Sequence, residues 1–233
     1  MIKVVSFKIC PFVQRVTALL EAKQIPYEIE FIQLSDKPQW FLDISPNGQV
    51  PILITESGMV LFESDAIVEY LDEIAPPVEA DVSPEQRAID RAWGYQAAKH
   101  YLVQCGAMRS ADKETWVQRT ANLAKAFAKA EKALGNGPYF KGAAISNVDI
   151  AWLPLLHRAH IIREHTCCDF LARYLKVKAW QSAMMATGLA SKSVSNDFEA
   201  AFTGFYLSEK TFLGGCKNSP NSLDSDCSVG TCC

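Results

Sequence analysis

Cys10 stands where a short β-branched and aromatic run, Ile2 to Phe7, gives way to an amphipathic pattern opening with Pro11. Proline suits the first position of a helix, because the N–H it lacks would find no intrahelical partner there. The spacing therefore predicts the thiol at a helix N-cap, facing unpaired backbone N–H groups and the positive end of the helix dipole. Such a setting favours thiolate over thiol and can lower a cysteine pKa from about 8.5 into the range of roughly 3.5–7.5. Arg15, on the first turns of the same helix, is expected to add positive potential. A thiolate so placed suits thiol–disulfide exchange. The residue three positions on is Val13 and not a second cysteine, so the second sulfur must come from a small external thiol. The alternative for Cys10 is a buried, inert small hydrophobe.

Three further groups of residues carry weaker signals. In Gln49-Val50-Pro51 a proline opens a strand, either for its fixed φ or for a cis bond. A cis bond would leave the backbone N–H and C=O of Val50 free to pair with an extended peptide ligand; the alternative is an ordinary turn proline. Glu63-Ser64 at a helix start offers a hydroxyl and backbone N–H groups to a carboxylate, with Glu63 available to an ammonium, or is a plain N-cap. His157, His160, His165, Cys167 and Cys168 have no standard metal-ligand spacing, so no metal is expected. Trp93, Tyr95, His100 and Tyr101 are read as core or dimer packing in preference to a substrate cleft.

The elements that must position these groups change character along the chain. Strand, helix and strand (Ile2–Phe7, Pro11–Lys23, Tyr27–Ile32) are followed by a short helix near Pro38–Leu42 and the Ser45-Pro46-Asn47-Gly48 turn. A hairpin of Ile52–Ile54 and Met59–Phe62 precedes a helix capped by Ser64. After Pro76-Pro77 everything reads as helix. Ser83-Pro84-Glu85-Gln86 starts one that runs to about Met108, Lys113–Leu134 forms a second, and Ser146-Asn147-Val148-Asp149 opens a third over Asn147 to about Ile162. Shorter helices are predicted near Asp169–Leu175, Val177–Met185 and Asn196–Leu207. The expected domains are 1–76, an α/β unit of βαβ-α-ββα order; a linker, 77–82; and 83–213, all helical. The Gly-, Ser-, Asn- and Cys-rich remainder, 214–233, reads as a disordered tail.

Composition agrees with a folded chain: 49% of the 233 residues are hydrophobic and 21% charged. A formal net charge of −3 gives no electrostatic footprint for nucleic acid. No run approaches the ~20 apolar residues of a membrane span, and the N-terminus does not resemble a secretory signal. A soluble cytoplasmic protein is expected. Of eight cysteines, four (Cys216, Cys227, Cys232, Cys233) lie in the tail, so the body lacks the dense pattern of a disulfide framework. The tail cysteines could bind a soft metal, form disulfides or, at the terminal pair, take a lipid, although a functionally silent tail is the expectation.

Taken together and in order, Cys10-Pro11-Phe12-Val13, Asn47-Gly48-Gln49-Val50-Pro51, Glu63-Ser64 and Ser146-Asn147-Val148-Asp149 resemble the cytosolic glutathione S-transferase superfamily over about residues 1–207. The cysteine makes the chain similar to the cysteine-type, omega-like and dehydroascorbate-reductase-like members. The resemblance implies a thioredoxin-like N-terminal domain that holds glutathione, an all-α C-terminal domain and a homodimer. It also implies that Cys10 forms a mixed disulfide with glutathione and that Phe12 belongs to the binding site. Lys37 would approach the glycine carboxylate, Val50 would pair with the cysteinyl backbone across a cis-Pro51, and Glu63 and Ser64 would hold the γ-glutamyl end. Ser146 and Asp149 would form a structural N-cap. The implied activity is thiol transfer, meaning deglutathionylation or dehydroascorbate reduction, without a metal or stable membrane insertion. Two alternatives stand beside it: a conjugating or isomerising transferase in which Cys10 is incidental, and a non-catalytic interaction or membrane-inserting module. The tail is a departure from the family pattern.

Overall fold

The computed structural model describes residues 1–216. It begins with β1 (Ile2–Ser6), α1 (Pro11–Ala22) and β2 (Tyr27–Phe31), followed by α2 (Gln39–Ile44), β3 (Ile52–Ile54), β4 (Val60–Phe62) and α3 (Ser64–Ile74). The strands form one mixed sheet in the order β2-β1-β3-β4. β1 runs parallel to β2, with Ile2 opposite Tyr27, and antiparallel to β3, with Val4 opposite Leu53. A parallel pair needs a crossover, and α1 supplies it. Because β1 is central, both of its faces are covered. Val4 joins Val13, Val16, Leu20, Leu53, Ile67 and Leu71 on the side of α1 and α3, while Val5 joins Ile52 and Phe41 on the other. This is the thioredoxin-like arrangement that the resemblance implies, in the βαβ-α-ββα order read from the sequence.

The rest of the regular structure is helical: α4 (Pro84–Met108), α5 (Lys113–Ala133), α6 (Asn147–His165), α7 (Leu175–Ala186), α8 (Leu189–Lys192), α9 (Phe198–Tyr206) and α10 (Phe212–Gly215). Their starts follow the local chemistry of the sequence. Ser83 accepts a hydrogen bond from the Gln86 N–H at 3.2 Å, and Asp112 accepts one from the Thr115 N–H at 2.8 Å. At the head of α6 the Asp149 carboxylate accepts from the Ser146 N–H (2.8 Å) and hydroxyl (2.6 Å). Its other oxygen accepts from the Phe140 N–H (2.8 Å) and the Trp180 indole (2.6 Å). α6 is buried nearly all round and packs against both α4 and α1, so it is the element through which the two halves meet.

Several boundaries differ from the sequence expectation. Residues 169–174 form turns and not a helix, because the Asp169 carboxylate accepts the Leu171 N–H at 2.8 Å, an Asx turn that competes with helical pairing. α8 and α10 have four residues each, too short to show a period. α10 also moves the end of the folded body past Gly214: Thr211 caps it, Phe212 N–H donates to Ser110 O at 2.8 Å, and Cys216 is buried. The remainder of the expected tail, 217–233, lies outside the described residues. No helix among the described residues is long and apolar enough to cross a membrane.

Candidate active site

Cys10 is the N-cap of α1, in extended backbone geometry, with Pro11 at the first helical position. Its N–H donates to Phe7 O at 3.0 Å and its carbonyl accepts from Gln14 N–H at 3.1 Å. The side chain is half-buried. Burial pushes the Cys10 thiol above its ordinary pKa, while the N–H groups of Val13 and Phe12 and the Arg158 guanidinium pull it down. The expected donors are therefore present, but desolvation outweighs them, and the expectation of a lowered pKa is corrected on that ground.

A second correction concerns the nearby cation. Arg15 is buried and its guanidinium is bonded to the Asp65 carboxylate, so its charge is already paired. Arg158 takes that place. It comes from α6, is fully buried, and has no carboxylate partner among the described residues. One nitrogen donates to Gln14 Oε1 (2.5 Å) and Pro154 O (3.0 Å), and the other donates to Ile9 O (3.0 Å) in the residue preceding Cys10. Phe198 lies 5.5 Å from the guanidinium carbon, and the Arg158 Nε has no partner among the described residues. Gln14 extends the network with its amide 2.8 Å from His157 Nδ1 and 3.3 Å from Ser193 Oγ. Burial, with Arg158 and His160 nearby, lowers the His157 pKa to about 3, so its ring is neutral and Nδ1 accepts. His157 also stacks on Phe198 with centroids 5.2 Å apart, a packed position.

On the other flank the Val50–Pro51 peptide bond is cis. Ser45 fixes the preceding turn: its hydroxyl accepts from Gln49 N–H and donates to Gln49 O, both at 3.1 Å. Gly48 has φ of +56°, a conformation open to glycine, and a Cβ there would stand 4.0 Å from Lys37 Nζ. Lys37 is thus at this turn, without an ion-pair partner among the described residues. Asn47 of the same turn donates to the Glu63 carboxylate at 3.0 Å, which ties it to the start of α3, where Ser64 is buried. Phe12 sets its ring edge-on to Tyr101 at 5.1 Å, and Cys10, Phe12 and Val50 pack on one hydrophobic cluster. Tyr101 is core, donating to Ala151 O; Trp93 packs on Phe140 and Trp152, whereas Tyr95 is exposed.

Beyond Ile9, a cleft of about 410 Å³ opens between the loop before α1, the end of β2 and α9. Phe7, Phe31 and Phe205 give it an aromatic lining and Lys8 a single cation. Lys8 is paired with Asp197 at 2.5 Å. Cys10 thus packs on the same cluster as Val50 of the cis bond, and Ile9, the residue before it, lines the aromatic cleft. Arg158 and this cleft escaped the sequence reading. The available signal was an arginine set among Leu155, Leu156, Ala159, Ile161 and Ile162, in the mostly apolar stretch of the helix.

Residues 9–74 match the family model described as "Glutathione S-transferase, N-terminal domain". The chain is 32% identical over 193 residues to glutathione S-transferase omega-1 of Rattus norvegicus, covering 82% of this chain and 79% of the relative. It is 33% identical over 162 residues to glutathione S-transferase DHAR2 of Arabidopsis thaliana, covering 67% and 70%. Glutathione transferase Omega 3C of Trametes versicolor superposes with a TM-score of 0.72 at 27% identity, over 84% of this chain and 89% of that one.

Proposed function

The chain belongs to the glutathione S-transferase superfamily, and from that premise we propose that it is a cysteine-type, glutathione-dependent thiol transferase whose nucleophile is Cys10. The observation that carries the reading is the placement of the Cys10 sulfur at the α1 N-terminus, against the N–H groups of Phe12 and Val13, with no thiol at position 13. In the first half-reaction the Cys10 thiol loses its proton to solvent. The thiolate attacks the glutathione sulfur of a mixed disulfide, a Cys10–glutathione S–S bond forms, and the substrate leaves as its thiolate. In the second, a glutathione thiolate attacks the glutathionyl sulfur on Cys10, which releases oxidised glutathione and restores the Cys10 thiolate. Reduction of dehydroascorbate would take its two electrons from two glutathione molecules through the same intermediate.

In this reading Lys37 faces the glycine carboxylate, the Val50 backbone pairs with the cysteinyl residue beside cis-Pro51, and Glu63 and Ser64 meet the γ-glutamyl end. Phe12 supplies an N–H to the sulfur. The aromatic cleft receives the apolar part of the second substrate. The protein acts as a homodimer in a reducing compartment that supplies glutathione, and sedimentation equilibrium checks the oligomeric state.

The test is peptide-mapped mass spectrometry after exposure to oxidised glutathione. The expected result is one adduct on Cys10, removed by reduced glutathione and absent from Cys10→Ser, together with loss of thiol-transfer activity in that variant. Conjugation of glutathione to an electrophile at undiminished rate by Cys10→Ser would favour the conjugating alternative. An unmodified Cys10 beside reactive tail cysteines would favour the non-catalytic one.

A further inference from the structure

Cys167, Cys168 and Cys216 bring their three sulfur atoms within 4.8 Å of one another, far from the Cys10 chemistry in sequence and unused by it. The sequence reading expected no metal, since Cys167-Cys168 and the nearby histidines have no standard ligand spacing; the fold adds Cys216, 48 residues beyond Cys168, to the pair. We propose that in the reduced protein these three cysteines form a thiolate site for a soft d¹⁰ cation, Zn²⁺ foremost.

The distances suit such an ion. Zinc–sulfur bonds of about 2.3 Å in a tetrahedron place sulfurs about 3.8 Å apart, so side-chain rotation alone would contract the trio onto a metal. The backbone beneath is fixed. Cys167 N–H donates to Cys216 O at 3.0 Å, joining the two segments directly. Cys168 N–H donates to Thr166 Oγ1 at 3.1 Å, and Thr166 caps the end of α6. Cys216 is held by α10, whose Phe212 N–H is anchored to Ser110 O at 2.8 Å. Cys168 and Cys216 are buried and Cys167 is exposed, which leaves an entry path from solvent.

The trio lies just past the carboxyl end of α6, a helix of 19 residues. The neighbouring candidate ligands are already committed. His165 is 2.6 Å from Glu199, and the Asp169 carboxylate takes Lys178 Nζ at 2.6 Å and Leu171 N–H at 2.8 Å. Sulfur is the ligand the site offers, and three sulfurs leave one tetrahedral position for water or an external thiol.

Cys167 is disulfide-bonded in the structure, so assembly is coupled to redox state. Two monothiols, oxidised together to one low-molecular-weight disulfide, return Cys167 and its former partner to thiols. Binding of Zn²⁺ to the three thiols then releases three protons, with no further change of oxidation state.

The experiment uses the full chain, reduced with a phosphine, loaded anaerobically with Zn²⁺ and desalted. The expected result is one zinc retained per chain, in the wild type and in a Cys227→Ser, Cys232→Ser, Cys233→Ser triple variant alike. Cys168→Ser and Cys216→Ser should each weaken retention at least tenfold in competition with a chelator. Cd²⁺ should give thiolate charge-transfer absorption that the same two changes abolish. Zinc should also protect Cys167, Cys168 and Cys216 from alkylation. Cys167→Ser, at an exposed position, covers the case in which a buried substitution prevents folding, and it too should lose zinc. Failure to retain zinc, retention that follows the last three cysteines, or indifference to Cys167, Cys168 and Cys216 overturns the proposal. Each of these outcomes is separable from the Cys10 adduct.

Discussion

Two effects of opposite sign meet at the Cys10 sulfur: burial, which favours the neutral thiol, and two amide N–H groups with a buried guanidinium, which favour the thiolate. Since burial prevails, alkylation of Cys10 by iodoacetamide should keep rising with pH beyond the midpoint of a free thiol, without a plateau at neutrality. Stopped-flow rates for the mapped Cys10 peptide between pH 6 and 10 check this; the pH range is about four units around the ordinary thiol value. Arg158 contributes through position as well as charge, because it donates to Ile9 O and Gln14 Oε1 on either side of the cysteine. Arg158→Met, which keeps the stem and removes the charge, should move the Cys10 profile to still higher pH and slow alkylation at pH 7 by roughly tenfold, one pKa unit. Arg158→Lys should restore part of the charge effect but not the two-sided grip. A profile identical in Arg158→Met and wild type would remove Arg158 from the site.

The elements differ in how openly the sequence announces them. α4 and α6 begin with capping residues whose partners lie within three positions, and the turn before β3 is built from Ser45, Asn47 and Gly48 with contacts that stay local or reach Glu63. Local chemistry of this kind is readable from order alone. The Asx turn at Asp169 is also local, although the sequence expectation for that segment is a short helix. Arg158 was invisible for another reason: its contacts to Ile9 and Gln14 span 149 and 144 residues, and nothing in a linear pattern separates a buried arginine from an exposed one. The placement of Cys216 beside Cys167 shares that character. Caps also differ in what they support. Ser83 is exposed and serves one N–H, whereas Asp149 is fully buried and serves the Ser146 N–H and hydroxyl, Phe140 and Trp180. Ser83→Ala should therefore cost about 1 kcal/mol, and Asp149→Ala about 3–5 kcal/mol, since several buried donors lose their acceptor. Urea midpoints of the two variants test the ordering, and equal losses would contradict it.

At the scale of the whole molecule, the buried titratable groups bracket the pH range of greatest stability. His157 has its pKa lowered to about 3 in the fold, against 6.5 when free. Its neutral form is the one the fold accepts, so this contribution is complete above the unfolded value and is lost as pH falls from about 6.5 towards 3. Between pH 7 and pH 5 the loss should be roughly 2 kcal/mol, visible in urea unfolding and reduced in His157→Asn, which retains an acceptor for Gln14. Cys10 acts at the other end: its raised pKa means that stability falls as pH climbs above that of a free thiol. The two halves of the chain share these groups, because α6 supplies His157 and Arg158 while α1 supplies Cys10 and Gln14. That sharing bears on any attempt to recombine parts. Pro76-Pro77 looks like a natural seam at which to graft this cysteine-bearing half onto the helices of a relative. The graft would carry over Cys10 and leave behind the guanidinium that braces its loop, so a chimera is workable only if the incoming helix brings an arginine to the same place.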